Sequence, residues 1–115
     1  DSGRLYFAAA SSGGVPGDIA KARLFDAVRN HDQTLEAAMQ AGRLFADGDG
    51  TIYLEDSASG EKSAVAGAGM TVESTAPLGK VNAVYCPKST PGSPDTCQLR
   101  NDYRGNGLVT TVNQK

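Results

Sequence analysis

Tryptophan is absent from this 115-residue chain, histidine occurs once and cysteine twice. Few side chains are therefore available with the basicity or nucleophilicity that catalysis usually recruits, and the inventory alone points to a non-enzymatic module without cofactor or metal. Positive charge is not in excess either. Eleven Lys and Arg stand against thirteen Asp and Glu, a net charge of −2, so no general field exists to hold a phosphate backbone and nucleic acid is disfavoured as a partner. The longest apolar run, Leu5–Ala10, falls far short of the roughly twenty residues that a helical membrane span needs. The first residue is Asp1 rather than Met and no charged-then-apolar leader is visible, which suits an exported chain whose leader has been removed.

What is present is ordinary globular composition, 39% hydrophobic and 21% charged, enough for one modest core. Charge is distributed unevenly. Residues 1–79 carry 6 basic and 11 acidic side chains, whereas residues 80–115 carry 5 and 2, a lopsidedness suited to head-to-tail contact or simply to a solvated surface. The chain divides into an apolar arm and hinge, 1–17, and a globular domain, 18–115. The arm holds Leu5, Tyr6 and Phe7 ahead of the flexible Ser11-Ser12-Gly13-Gly14, and it either folds back as an edge strand or docks on another chain.

Asp18 is placed to cap a helix starting near Ile19, in which Ala20, Leu24, Ala27 and Val28 form an apolar stripe with Phe25 beside it. Asn30-His31-Asp32 breaks that helix, and Asp32 caps a second with Leu35, Ala38, Met39 and Phe45 on its stripe, ending near Gly42. From Thr51 the period becomes two. Thr51–Glu55, Met70–Ser74, Lys80–Tyr85 and Leu108–Val112 read as strands, with polar or small loops at Ser57–Lys62 and Ala64–Gly69. Helices first and strands after predict an α+β domain, one or two amphipathic helices on an antiparallel sheet of about four strands, with no parallel crossover.

Cys86 and Cys97 enclose ten residues with three Pro and one Gly, which can only be a loop. A disulfide there would remove denatured-chain entropy worth about 3 kcal/mol in the loop-closure model. Zinc needs four ligands, and the only histidine is distant in sequence. Asp47-Gly48-Asp49-Gly50 resembles half a calcium loop, but Ile52 and Ala58 stand where an EF-hand requires Gly and Glu. A plain turn is the favoured reading, and weak calcium binding by Asp47 and Asp49 with Glu55 or Asp56 the other. His31 reads as a boundary or surface residue. Gly60-Glu61-Lys62-Ser63 and Gly67-Ala68-Gly69 lack the spacing of nucleotide-binding loops.

Taken together, Ile19–Val28, the strands between Thr51 and Val112 and the loop closed by Cys86 and Cys97 resemble the globular head of type IV pilins. The long apolar helix through which pilins polymerise has no counterpart before Asp18. The pattern is therefore most similar to the globular chain of a split, two-chain pilin, as in metal-reducing bacteria. That resemblance implies an extracellular, cell-surface filament subunit without catalytic residues. Leu5, Tyr6, Phe7, Ile19 and Leu24 would pack on a short helical pilin chain, with neighbouring copies alongside. Alternatives are a one-chain pilin or pseudopilin lacking its helix, and a periplasmic or secreted binding or inhibitor domain that uses the loop Pro87–Asp95.

Overall fold

A computed structural model describes residues 5–67, 69–87 and 97–107. Their elements, in chain order, are β1 (Phe7–Ser12), α1 (Val15–Asn30), α2 (Leu35–Gln40), β2 (Leu44–Ala46), β3 (Thr51–Glu55), a 3-10 turn (Asp56–Glu61), α3 (Lys62–Ala66), β4 (Thr71–Thr75), β5 (Lys80–Tyr85) and β6 (Gln98–Arg100). The α+β class holds, but the strands form two sheets rather than one, in the orders β1-β5-β6 and β2-β3-β4.

The arm becomes β1, antiparallel to β5 from Phe7 opposite Tyr85 to Ser12 opposite Lys80. Helix α1 starts at Val15, earlier than its apolar stripe suggests, because Pro16 fits the first turn and Gly14 takes the cap position; Asp18 lies inside the first turn. Gly17, Ala20, Leu24 and Val28 are its buried face. The break at His31 is real and its mechanism is a left-handed terminator. The N–H groups of His31 and Gln33 both donate to the Ala27 carbonyl, and Asp32 sits at φ 53. Thr34, not Asp32, caps α2 by accepting from the Ala37 N–H at 3.1 Å. Phe45 belongs to β2 rather than to a helical stripe.

Two apolar clusters result. Against the β1-β5-β6 sheet pack Ala20, Leu24, Val28, Leu35, Ala38, Met39, Val81, Ala83 and Tyr85. Ile52, Leu54 and Ala58 form the second, flanked by Leu44, Val65, Met70 and Val72. The expected absence of a parallel crossover is overturned, since β4 runs parallel to β3, Ile52 beside Val72 and Leu54 beside Ser74. The link expected to be loop is instead the 3-10 turn and α3, which carry the chain across so that both strands point the same way. The disulfide joins Cys86 and Cys97 where β5 and β6 meet. The strand expected at Leu108–Val112 lies outside the described residues.

Between the clusters lies a closed set of charges. The Arg104 side chain is 0% exposed, and all five of its N–H donors are used. Nε and Nη2 reach the two oxygens of Glu55 at 2.7 and 2.6 Å, Nη1 reaches Asp102 Oδ1 at 3.1 Å and the Met39 carbonyl at 3.0 Å, and Nη2 also reaches the Ala41 carbonyl at 3.0 Å. Asp102 Oδ2 accepts from Arg43 Nη1 at 2.7 Å and from the Val81 N–H at 2.9 Å. Glu55 further accepts from the Leu78 N–H at 2.7 Å and the Arg43 N–H at 3.1 Å. Two cations and two anions thus tie β2, β3, α2 and the strand β5 together. Among the described residues no buried side-chain nitrogen or oxygen lacks a partner.

Removing one member strands the others in a dry site. Arg104→Ala is expected to cost about 3–5 kcal/mol, and Arg104→Lys to recover only part of it, because an ammonium offers three donors where five are used; urea unfolding midpoints measure both. Burial alone would raise the Glu55 and Asp102 carboxyls. The N–H groups of Arg104, Leu78 and Arg43 at Glu55, and of Arg104, Val81 and Arg43 at Asp102, outweigh burial and hold both below the usual carboxylate range. Their stabilisation is complete above the ordinary carboxylate pKa of about 4 and is lost as pH falls through the lower folded values. Stability measured by urea titration is expected to be flat with respect to these groups from neutral pH to about pH 5 and to drop below it, less steeply in Glu55→Gln.

Candidate functional site

Strand β1 enters α1 through Gly13 and Gly14, at φ 98 and 68. A Cβ at Gly13 would stand 2.9 Å from the Gly79 Cα, and one at Gly17 would stand 2.5 Å from the Ser12 carbonyl oxygen. Backbone therefore packs directly on backbone here, and the turn has no room to shift. The Gly14 carbonyl accepts the N–H groups of Gly17 and Asp18 at 3.0 and 3.2 Å, while no side chain caps the helix. The start of α1 carries the partial positive charge common to helix N-termini. Beside it is a groove of about 290 Å³ lined by Ser11, Ser12, Lys80, Asn82 and Gly107 among others, a set of hydroxyl, ammonium and amide groups able to meet a polar ligand. The carboxylate that lines the groove is that of Asp102; Asp18, in the first turn of α1, pairs with Lys21 at 3.1 Å and accepts from Ser11 Oγ at 3.5 Å.

A larger cleft of about 480 Å³ lies between α1, α2 and the 3-10 turn, and Arg23, Asp26, His31, Arg43, Ser57 and Glu61 contribute its polar lining. Asp26 accepts from Asn30 Nδ2 at 2.7 Å and pairs with His31 Nε2 at 3.1 Å. The Asn30 hydrogen bond, aided by His31, holds the Asp26 carboxyl below its ordinary value. Ser57 Oγ lies 3.4 Å from Glu55 Oε2. That carboxylate is saturated by guanidinium and backbone donors, so it is a poor base for activating the hydroxyl. The Ser11 hydroxyl likewise donates to a carboxylate, Asp18 Oδ1 at 3.5 Å, which Lys21 shares.

The residues singled out in the sequence take varied places. Cys86 and Cys97 are bonded. Asp47 Oδ1 accepts the N–H groups of Asp49 at 2.7 Å and Thr51 at 3.3 Å, closing a turn in which Gly48 and Gly50 have φ 87 and 89. No third His, Cys, Asp or Glu gathers with that pair among the described residues. Glu55 is spent on the buried arginine. Leu5 and Ile19 are exposed and Leu24 is in the core. Tyr6 and Phe7 are half-buried, their rings 5.4 Å from Tyr85 and 5.1 Å from Phe25 in edge contacts. Nothing in residue spacing announced Arg43, Asp102 and Arg104 as partners. Of Ser11-Ser12-Gly13-Gly14, read as a hinge, the two serines end β1 and the two glycines make the turn into α1.

Neither protein-family models nor curated proteins match this chain. Solved structures do. A γ-glutamyltranspeptidase from Pseudomonas nitroreducens complexed with L-DON superposes with a TM-score of 0.81 at 20% identity, over 98% of this chain and 58% of that one. A Helicobacter pylori γ-glutamyltranspeptidase T380A mutant gives 0.72 at 14% identity over 91% and 57%. The transpeptidase CapD of Bacillus anthracis gives 0.71 at 20% identity over 92% and 63%. The chain thus shares its fold with these proteins and spans less than two thirds of their length.

These findings overturn the pilin reading and, with it, the filament subunit, the helical pilin partner and the non-enzymatic assignment. The solved chains with this fold are transpeptidases, which are enzymes. A helix-then-sheet order and a cysteine-closed loop are too common among folds to single out a pilin head. The trimmed one-chain pilin and the binding or inhibitor domain gain no support from these matches either, and loop residues 88–96 lie outside those described. Because Phe7 is packed on Phe25 rather than free to dock, Phe7→Asp is expected to unfold the domain by about 2–3 kcal/mol, read as a lowered urea midpoint rather than as a loss of association alone.

Proposed function

We propose that this chain is part of an enzyme that transfers or hydrolyses γ-glutamyl amides. The observation that supports this reading is the superposition of 98% of the chain on a γ-glutamyltranspeptidase at a TM-score of 0.81. Fold alone does not dictate chemistry, so the local geometry has to be compatible. The chemistry of such a transfer asks for contacts to the amino-acid end of a γ-glutamyl group and for donors toward an amide oxygen that gains negative charge. The rigid β1–α1 turn with its adjoining groove of Ser11, Ser12, Lys80 and Asn82 is compatible with the second requirement. The cleft bearing both Arg23 and Asp26 is compatible with a zwitterionic amino acid. The described residues then act in binding and orientation, and the covalent step belongs to groups beyond them.

The test uses the protein as isolated from its source, supplied with a γ-glutamyl anilide donor and a dipeptide acceptor. Release of the aniline and appearance of the γ-glutamyl dipeptide are expected, with both abolished by preincubation with L-DON or acivicin, the compounds bound in two of the matched transpeptidases. Absence of both products at saturating donor would overturn the reading.

A further inference from the structure

The groove beside the β1–α1 turn is lined on one side by Gly105-Asn106-Gly107. Asn106 and Gly107 are exposed and belong to neither helix nor strand. Asparagine is a thermolabile side chain. Its carboxamide carbon can be attacked by the backbone nitrogen of the next residue, provided that the carboxamide can turn and the nitrogen is unshielded. Glycine is the follower that best allows this, having no Cβ beside the nitrogen and the widest backbone freedom. Asn101 Nδ2 donates to the Gly107 carbonyl at 2.7 Å, a contact that engages the oxygen of that residue and not its nitrogen.

The other asparagines among the described residues are held, and each is followed by a residue with a side chain. Asn30 Nδ2 donates to Asp26 at 2.7 Å, and the following N–H, of His31, is spent on the Ala27 carbonyl. Asn82 lies within β5, between β1 and β6, and its Oδ1 accepts the Asp102 N–H at 3.4 Å. Asn101 spends Nδ2 on Gly107, and the N–H that follows it is the one given to Asn82.

Two charged residues line the groove, Lys80 and Asp102. The Asp102 carboxylate is already spent on Arg43, Arg104 and the Val81 N–H, so Lys80 sets the sign of the groove. Its stem runs beside the loop, since a Cβ at Gly105 would stand 3.3 Å from Lys80 Cδ.

We propose that Asn106 is a self-modification site whose conversion to a carboxylate offsets the Lys80 charge in the groove. The deprotonated Gly107 nitrogen attacks Asn106 Cγ, the Cγ–Nδ2 bond breaks, and Nδ2 leaves as ammonia with the proton that Gly107 gave up. Water then opens the cyclic imide at either carbonyl, giving aspartate or isoaspartate, with nothing oxidised or reduced. Both products are ionised at neutral pH. The conversion stands on local geometry alone. Its effect on catalysis rests on the function proposed above, in which the groove meets an oxygen that becomes anionic.

The test is peptide mapping by mass spectrometry of the protein as isolated from its source, incubated folded in neutral buffer. Conversion of Asn106 to a mixture of aspartate and isoaspartate is expected, with matching growth of a more acidic species in isoelectric focusing, while Asn30, Asn82 and Asn101 persist. Gly107→Ala, whose Cβ would meet only side-chain atoms of Asn82 and Asn101, the nearest at 3.3 Å, is expected to slow the conversion, and Asn106→Gln to abolish it. Persistence of Asn106, equal conversion of the other asparagines, or conversion only after unfolding in urea would each overturn the proposal. Asn106→Asp fixes the converted charge and is expected to transfer γ-glutamyl groups more slowly than the parent; equal rates would overturn the effect on the groove. A protein that converts at Asn106 but transfers nothing would refute the enzymatic reading alone.

Discussion

Two guanidinium groups and two carboxylates, closed off from water, make one fold out of two small cores. Among the described residues the two apolar clusters are separate, and the second has three buried apolar residues. Buried ion pairs add little net stability over well-packed apolar residues, but they are exacting about geometry, and Arg104 is satisfied in one arrangement of its five donors. The constraint propagates. Arg43 also donates to the carbonyls of Leu78 and Gly79, and Gly79 presses on Gly13 and Gly17. The turn that presents the start of α1 is thus tied to the buried charges through contiguous backbone.

Much of the architecture can be read from residue order. Alternation marks β3, β4 and β5 because each is half-buried and five or six residues long, enough for a period of two to show. The α1 stripe and the break after Asn30 follow from side-chain type. Strands β2 and β6, three residues each, are too short for any period, and pairing with longer neighbours defines them. The parallel β3–β4 pair is hidden because its crossover is a polar 3-10 turn and a five-residue helix, each below the length at which a helical pattern emerges.

The charges mislead for a related reason. Glu55, Asp102, Arg43 and Arg104 look like solvated surface in the sequence, since ion pairing between positions 49 or 59 apart leaves no local signature. Scarcity of histidine and cysteine is a weak guide to catalysis for another reason. Counting nucleophiles presumes that the stretch of sequence holds a whole site, whereas this one spans 56–63% of the solved chains it matches. Backbone N–H groups, which any residue but proline supplies, contribute nothing to such a count.

The separation of 49 positions between Glu55 and Arg104 also has a consequence for biosynthesis. At about 5–20 residues per second, a nascent chain would display Glu55 for several seconds before its counter-ion leaves the ribosome. Until then the carboxylate stays hydrated, and the sheet that contains it has no reason to shut. The last-made stretch of the described polypeptide acts as the bolt, so the domain can close only after synthesis has passed position 104.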